Sequence, residues 1–294
     1  MKLSRLTLAM ALLHSVSVHA QTPDYDDALQ LSDTIVSANR VPQLRAQAAA
    51  ATTVFTRADI DRLQVRTVAE LLERVPGVSV VRTGGPGSLT SIFVRGTTSG
   101  QTLVLVDGQR IAAASSGTSS IEFIDPDHIE RVEVVKGARS ALYGSDAIGG
   151  VVQIFTRRGN ETGLNPRLRL GVGSHSTFER SLALSGGDDQ TRVSLAASLD
   201  ETSGIDATRH GDSLNRDDDA FRNRALSFNL LHSFNEHLDA GFSALDQRGQ
   251  IEYDDLFGPS QPTTDFELST ASGLSLIHIP SPRDATLSRM PSSA

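Results

Sequence analysis

The chain has 294 residues, no cysteine and a formal net charge of −8. The lack of cysteine excludes disulfide bonds and thiolate metal sites. The acidic balance argues against nucleic acid as a partner and is compatible with cations or with a neutral or cationic small ligand. The length allows one large domain or two modest ones.

The first twenty residues predict a secretory signal peptide. Lys2 and Arg5 give a positive start, residues 6–18 are mostly apolar, and "VHA" supplies a cleavage site before Gln21. The apolar run is too short to span a bilayer. We therefore expect an exported protein, and for an exported chain without cysteine the envelope of a Gram-negative bacterium is the favoured location.

Residues 21–51 are polar, alanine-rich and punctuated by proline, which predicts a tether. Within the tether, "DTIVSA" (33–38) reads as a short extended segment, and nothing beside it in the sequence resembles a pairing partner. The purpose of such a segment has to come from the rest of the chain.

Residues 52–158 mix short strands with two short helices, which predicts one compact α+β domain. The capping-box patterns Thr56-x-x-Asp59 and Thr67-x-x-Glu70 start the two helices, and Pro76-Gly77 is expected to stop the second. Asp107-Gly108 follows an apolar run and predicts a hairpin turn.

From Asn165 onward, apolar and polar residues alternate with period two. In "RLRLGVG" (167–173) the leucines and the valine share a face opposite the arginines. Tight turns at 185–190 and 235–237 alternate with long polar loops, the first of them the Asp-rich segment 200–220. This arrangement is typical of a transmembrane barrel, although a soluble β-sandwich with one solvated face would show the same alternation.

Two long motifs make the chain similar to TonB-dependent outer-membrane receptors. The resemblance runs from Asp33 to about Glu267 and is strongest in "ELLERVPGVSVVRTGGPGSLTSIFVRGTTSGQTLVLVDGQRI" and "VEVVKGARSALYGSDAIGGVVQIFT". The second motif carries the plug-domain hallmark at Val132–Gly137, Ala141–Gly144 and Ala147–Gly150. Within the family, the chain is most similar to the cobalamin-transporting members.

The resemblance implies an α+β plug domain (52–158) inside a transmembrane antiparallel barrel of about 22 strands, of which residues 159–271 would form the first five or so. It implies TonB-dependent transport of cobalamin across the outer membrane, with the outer-membrane lipid around the barrel. The alternatives are a receptor for a siderophore or another metal chelate, and a soluble exported binding module. No GxGxxG, P-loop or HExxH pattern occurs, so we do not expect an enzyme.

The resemblance also implies that the extended segment is the Ton box, which such receptors offer to the energy-coupling protein TonB. Physically, an unpaired extended segment can add a strand to the exposed sheet edge of a partner. We therefore expect it to be unpaired in its own fold, and the alternative is a strand that pairs inside the plug. Its residues are Asp33, Thr34, Ile35, Val36, Ser37, Ala38 and Asn39.

For the ligand site, the resemblance points to plug loops and external barrel loops. Thr98 stands where an amide side chain is common in the family, and Asp255 is a second departure, so the identity of the corrinoid stays open. Flexible Gly/Ser-rich loop tips suit a large amphipathic ligand. The implied cobalamin contacts are Leu89, Ser91, Thr98, Ser116, Gly117 and Asp255.

The acidic loop is a candidate calcium site. Calcium takes about six to eight oxygen ligands, and Asp217-x-Asp219 places two carboxylates on one side of an extended stretch. A charge-rich surface loop can also be simply solvated. The resemblance implies that calcium orders the ligand site and is bound by Asp206, Asn215, Asp217, Asp219, Tyr253, Asp254 and Asp265.

The end of the chain departs from this pattern. Residues 272–294 lose both the alternation and the resemblance, and "LSLIHIPSPRD" is similar to translated sequencing-adapter DNA. We therefore expect a non-native tail at 272–294, with a natural truncation as the alternative.

Overall fold

The computed structural model describes residues 51–113, 117–159, 162–206, 218–235, 237–253 and 262–277, together with the backbone of the short strands 35–36 and 43–44. The predicted signal peptide and most of the tether lie outside these residues. Among the residues described, none belongs to a helix with the length and apolar character needed to cross a membrane.

The described residues up to Thr156 form a short N-terminal strand pair followed by the predicted α+β domain. The elements, in chain order, are β1 (Ile35–Val36), β2 (Gln43–Leu44), β3 (Ala51–Phe55), α1 (Arg57–Leu63), α2 (Val68–Leu72), β4 (Val78–Arg82), β5 (Thr90–Val94), β6 (Thr102–Val106), β7 (Gln109–Arg110), β8 (Ile129–Lys136), α3 (Ser140–Tyr143) and β9 (Gly150–Thr156). One sheet has the order β3-β8-β9-β6-β7, in which only the β6–β9 pair is parallel, and β4 and β5 form a separate hairpin.

Local sequence signals account for the ends of these elements. Thr56 Oγ1 accepts from the Asp59 N–H at 3.3 Å and the Asp59 carboxylate accepts from the Thr56 N–H at 3.0 Å, which confirms the predicted capping box. Asp107 and Gly108 both have positive φ, 46° and 82°, as expected for the predicted tight turn. Helix α2 ends at Leu72, before the predicted stop at Pro76, because its last turn tightens into i to i−3 bonds at residues 74 and 75.

The second part of the chain is a six-stranded antiparallel sheet in sequence order, in agreement with the five or so strands expected. Its strands are β10 (Gly163–Gly173), β11 (Thr177–Gly187), β12 (Thr191–Thr202), β13 (Phe221–Asn235), β14 (Leu238–Glu252) and β15 (Thr263–Ile277). Strand β15 pairs with β14 as far as Ile277, so the pairing passes the boundary that the sequence placed at residue 272.

The polarity of this sheet is reversed relative to a soluble protein. Leu168, Leu170 and Val172 on β10 are 67%, 70% and 82% exposed, and they share one face as predicted. The face turned toward the plug instead buries polar side chains on β12, β13 and β14, namely Ser194, Ser198, Asn223, Ser227, Asn229 and Gln247. An apolar outer face with a polar inner face is characteristic of a barrel in lipid and argues against the soluble sandwich.

The predicted Ton box differs from the expectation that it is unpaired. Strand β1 pairs with β2 in antiparallel register, with Ile35 opposite Leu44 and Val36 opposite Gln43. A partner this close in sequence can satisfy backbone groups that would otherwise be left to solvent. The correction covers Ile35 and Val36; the other Ton-box residues, Asp33, Thr34, Ser37, Ala38 and Asn39, lie outside the described residues.

Candidate functional site

The plug is held against the barrel strands along one line of contacts, which we call the plug–barrel seam. It consists of plug residues 122–128 and 156–157 and the inward faces of β12 and β13. At one end, Asn223 Nδ2 donates to the Phe123 carbonyl at 2.8 Å. At the other end, Asn229 Nδ2 donates to Thr156 Oγ1 at 2.9 Å. The plug therefore docks through specific hydrogen bonds to alternate residues of β13.

His128 is the centre of the seam. Its side chain is 2% exposed, and its ring bridges two barrel strands. Nδ1 lies 2.7 Å from Ser227 Oγ and Nε2 lies 3.0 Å from Ser198 Oγ. Burial lowers the pKa of His128, although the Asp125 and Asp127 carboxylates oppose that shift. A neutral ring, with one donor and one acceptor nitrogen, suits two hydroxyl partners.

Charged groups flank the seam on the side of β10 and β11. Arg169 reaches Asp127 at 3.4 Å and Glu179 at 3.2 Å, and Arg66 reaches Glu179 at 2.5 Å. Arg157 donates from Nε to the Asp127 carbonyl at 2.6 Å. Burial, with two other arginines nearby, lowers the pKa of Arg157 to about 10. These pairs tie the plug helices and the seam to the first two strands.

An aromatic stack lies at the Asn223 end of the seam. The Phe123 ring of the plug lies between Phe266 of β15, at a centroid distance of 4.4 Å, and Phe221 of β13, at 5.8 Å. Two glycines make room for it: a Cβ at Gly249 would lie 2.2 Å from the Phe123 ring, and a Cβ at Gly87 would lie 2.4 Å from the Phe221 ring. The stack therefore depends on close approach that only glycine allows.

Replacing Gly249 with alanine is expected to displace Phe123 and to destabilise plug docking by about 1–3 kcal/mol, as overpacking does elsewhere. The measurement is denaturant unfolding of the full-length protein in detergent. Gly273→Ala on β15 is the matched control, because a Cβ there meets nothing within 4 Å. Equal effects of the two substitutions would contradict the stack as the cause.

Two cavities lie on either side of this stack. The larger, of about 690 Å³, is lined by Leu89, Glu122, Phe123, Tyr253 and Phe266 among others. The smaller, of about 340 Å³, shares Glu122 and Phe123 and adds residues of the β12–β13 side such as Asp200 and Phe221. Apolar concave surfaces with a few polar groups are the usual form of a ligand site, so the larger cavity is the candidate binding site.

The structure gathers only part of the predicted cobalamin set at this cavity. Leu89 lines it and is 52% exposed. Ser91, on β5, and Thr98, whose backbone N–H bonds Gln101 Oε1 at 3.2 Å, do not line it. Gly117 does not line it either; it has a positive φ of 68°, and its backbone N–H donates to the Ala113 carbonyl. Ser116 and Asp255 lie outside the described residues.

The predicted calcium ligands do not assemble in the part of the chain that the structure describes. Within those residues, no three His, Asp or Glu side chains lie close enough together to hold a metal ion. Asp265 accepts from Gln250 at 2.9 Å on the face of β15 opposite Phe266. Asp219 is buried beside Gly204, and Asp206 lies two residues after Gly204 in the chain. Tyr253 lines the larger cavity. Asn215, Asp217 and Asp254 lie outside the described residues.

Glu122, Phe123 and Phe266 were not among the sequence-predicted site residues. Phe266 is on strand β15, where alternate side chains share a face, so its inward direction could have been predicted from this alternation. Nothing local marks Glu122 or Phe123, because their place at the cavity depends on strands more than 90 residues away.

Comparison with known proteins supplies the family of the first domain. Residues 45–151 match the TonB-dependent Receptor Plug Domain. That match includes the second hallmark motif as far as the start of β9.

Solved structures show the same fold over both parts of the chain. The siderophore receptor PirA from Acinetobacter baumannii is 22% identical, with a TM-score of 0.56, over 69% of this chain and 32% of its own. The pyoverdine outer-membrane receptor FpvA from Pseudomonas aeruginosa PAO1 is 18% identical, with a TM-score of 0.62, over 74% and 30%. The ferric enterobactin receptor PfeA from Pseudomonas aeruginosa is 21% identical, with a TM-score of 0.54, over 70% and 34%. The chain thus spans about a third of the length of these receptors, and at these identities the likeness shows the fold alone.

Proposed function

We propose that the intact protein is an uptake receptor of the Gram-negative outer membrane, from the premise that this chain carries a TonB-dependent receptor plug domain followed by the first strands of the receptor barrel. The observation that carries the proposal is the reversed polarity of β10–β15, with large apolar side chains outside and the polar plug seam inside. A soluble exported module would have to leave that apolar face in water.

The proposed substrate is a large metal chelate. Siderophores are the first candidates, because the similar receptors named above are siderophore receptors. Cobalamin, which the sequence motifs suggest, is the second candidate and is also a metal chelate. Transport needs no chemistry on either, and the larger cavity offers the plug-side part of a site for both.

The proposed energy source is TonB, which would bind the Ton box by adding it to an exposed sheet edge. Because Ile35 and Val36 pair with β2, this binding requires that β1 first leaves β2. Ligand binding would then act as a population shift from the paired to the released segment. A two-residue pair is a small barrier to such a release.

Calcium is proposed as the ion that orders the external loops. Removing it with EGTA is expected to weaken chelate binding about tenfold, a typical coupling between two sites. The measurement is ligand affinity of the full-length receptor with and without added calcium. Asp217→Asn should lose the calcium effect, whereas Asp189→Asn, in the turn between β11 and β12, should keep it. A calcium effect that survives Asp217→Asn would contradict this ligand set.

The function itself is tested by uptake of labelled chelates in cells with and without TonB. The expected result is saturable uptake that needs both the receptor and TonB, with a heat-modifiable protein in the outer-membrane fraction. Recovery of the protein as a soluble periplasmic species would overturn the proposal and favour the binding module.

A further inference from the structure

The charge of the larger cavity is informative about its ligand. Its lining contains no lysine, arginine or histidine among the described residues, and it contains the acidic residues Glu122, Asp265 and Glu267. Aromatic and aliphatic side chains make up most of the rest, including Leu89, Phe123 and Phe266. A site for a polyanion would be expected to offer cationic donors, and the described part of this lining offers none.

The three acidic residues are not equivalent. Side chains alternate along β15, and Phe266 points to the plug, so Asp265 and Glu267 belong to the opposite face. Their partners agree: Asp265 accepts from Gln250 at 2.9 Å and Glu267 pairs with Arg248 at 3.1 Å. Glu122, on the plug, is therefore the acid that belongs to the cavity itself.

One carboxylate oxygen of Glu122 lacks a hydrogen-bond donor among the described residues. This atom, Oε2, is buried. Burial raises the pKa of Glu122, although neighbouring backbone N–H groups oppose the rise. A buried carboxylate oxygen without a partner is costly. Rotation of the Glu122 side chain toward the cavity would bring this oxygen to a ligand N–H group or a cation and remove that cost.

The smaller cavity on the other side of the stack does not reverse this charge. Arg66 and Arg82 line it, but Arg66 pairs with Glu179 at 2.5 Å and Arg82 pairs with Glu73 at 3.5 Å. Glu122 lines this cavity too, together with Asp200, whose pKa burial raises to about 8, and with Glu201, which pairs with Arg180 and Arg222. A ligand lying across the Phe123 stack therefore meets the Glu122 side chain from either cavity.

We propose that this site selects neutral or cationic chelates that present N–H donors beside an apolar body, and that Glu122 is the carboxylate that recognises them. The inference rests on the proposed function and narrows its substrate class: it admits corrinoids and ferric hydroxamates and excludes anionic ferric catecholates. The carboxylate would repel the negative charge of a catecholate complex at short range.

The test is binding of three probes to the full-length receptor in detergent: cyanocobalamin, which is neutral, ferrioxamine B, which is cationic, and ferric enterobactin, which is anionic. Wild type is expected to bind one of the first two more tightly than the third. Glu122→Gln should weaken that binding about tenfold, the usual loss for a charged hydrogen bond. Glu122→Lys should abolish it and improve binding of ferric enterobactin.

Asp239→Asn is the matched control, since Asp239, on β14, lines neither cavity, and it should leave all three affinities unchanged. Heat-modifiability confirms that each variant is folded. Preference of wild type for ferric enterobactin, or equal affinities of wild type and Glu122→Gln, would overturn this inference. If uptake in cells still depends on TonB in that case, the proposed function is unaffected. Binding of none of the three probes, with no TonB-dependent uptake, would overturn both.

Discussion

Replacing Ile35 with proline is expected to reduce TonB-dependent uptake to background while chelate binding stays at the wild-type level. Proline removes the backbone N–H that an added strand donates to its partner's edge, and β1 is the segment proposed to make that contact. Uptake in cells and affinity of the purified receptor separate the two effects. Uptake at wild-type rate would show that TonB binds elsewhere.

The matched control for this prediction is Leu44→Pro. It removes the internal partner opposite Ile35 and leaves β1 itself unchanged. Uptake should persist, and binding of TonB to the receptor without ligand should become tighter, because the competent state no longer competes with the β1–β2 pair. Loss of uptake in Leu44→Pro would mean that the pair itself is needed for coupling.

Replacing His128 with alanine is expected to destabilise the docked plug by about 3 kcal/mol, the range for a buried group whose loss leaves unpaired partners and a void. The two hydroxyls of Ser198 and Ser227 would lose the ring that bridges them. The measurement is hydrogen exchange across residues 122–128 in the full-length receptor. His237→Ala, at an exposed turn, is the control and should change nothing.

The same histidine gives docking a pH dependence of defined sign. In the unfolded chain its pKa is about 6.5, and in the fold burial lowers that pKa. The unfolded state therefore binds more protons in this range, so stability rises with pH. The contribution of His128 to docking is expected to be complete above about pH 6.5 and to be lost as the pH falls below that value. In His128→Ala this part of the pH dependence should disappear, and its persistence would assign it to other groups.

Local chemistry made some features of this fold predictable and left others out of reach. The capping box at Thr56, the turn at Asp107-Gly108 and the alternation of β10 depend on neighbours within a few residues, and the structure confirms all three. The seam does not: the serine partners of His128 are 70 and 99 residues away. A sequence pattern identifies a buried polar position only when its partner is close in the chain.

The Ton box shows that a contact between residues close in sequence can also escape prediction. The pairing of β1 with β2 is local, yet two residues per strand are too few to produce a period-two pattern. The residues of the candidate site were not predictable from the sequence for a third reason. Glu122 stands out because its Oε2 atom is buried next to Phe123 with no hydrogen-bond partner among the described residues, which is a property of packing and not of residue order.

The polar inner face of β13 determines what kind of surface is uncovered when the plug moves. Asn223, Ser227 and Asn229 each exchange a plug hydrogen bond for one to water when they separate, and the net loss for such an exchange is only about 1 kcal/mol each. A wall of Leu or Val would instead resist wetting. Displacing the plug from this strand therefore uncovers a surface that is already compatible with solvent, so separation of the two parts exposes no large apolar wall to water.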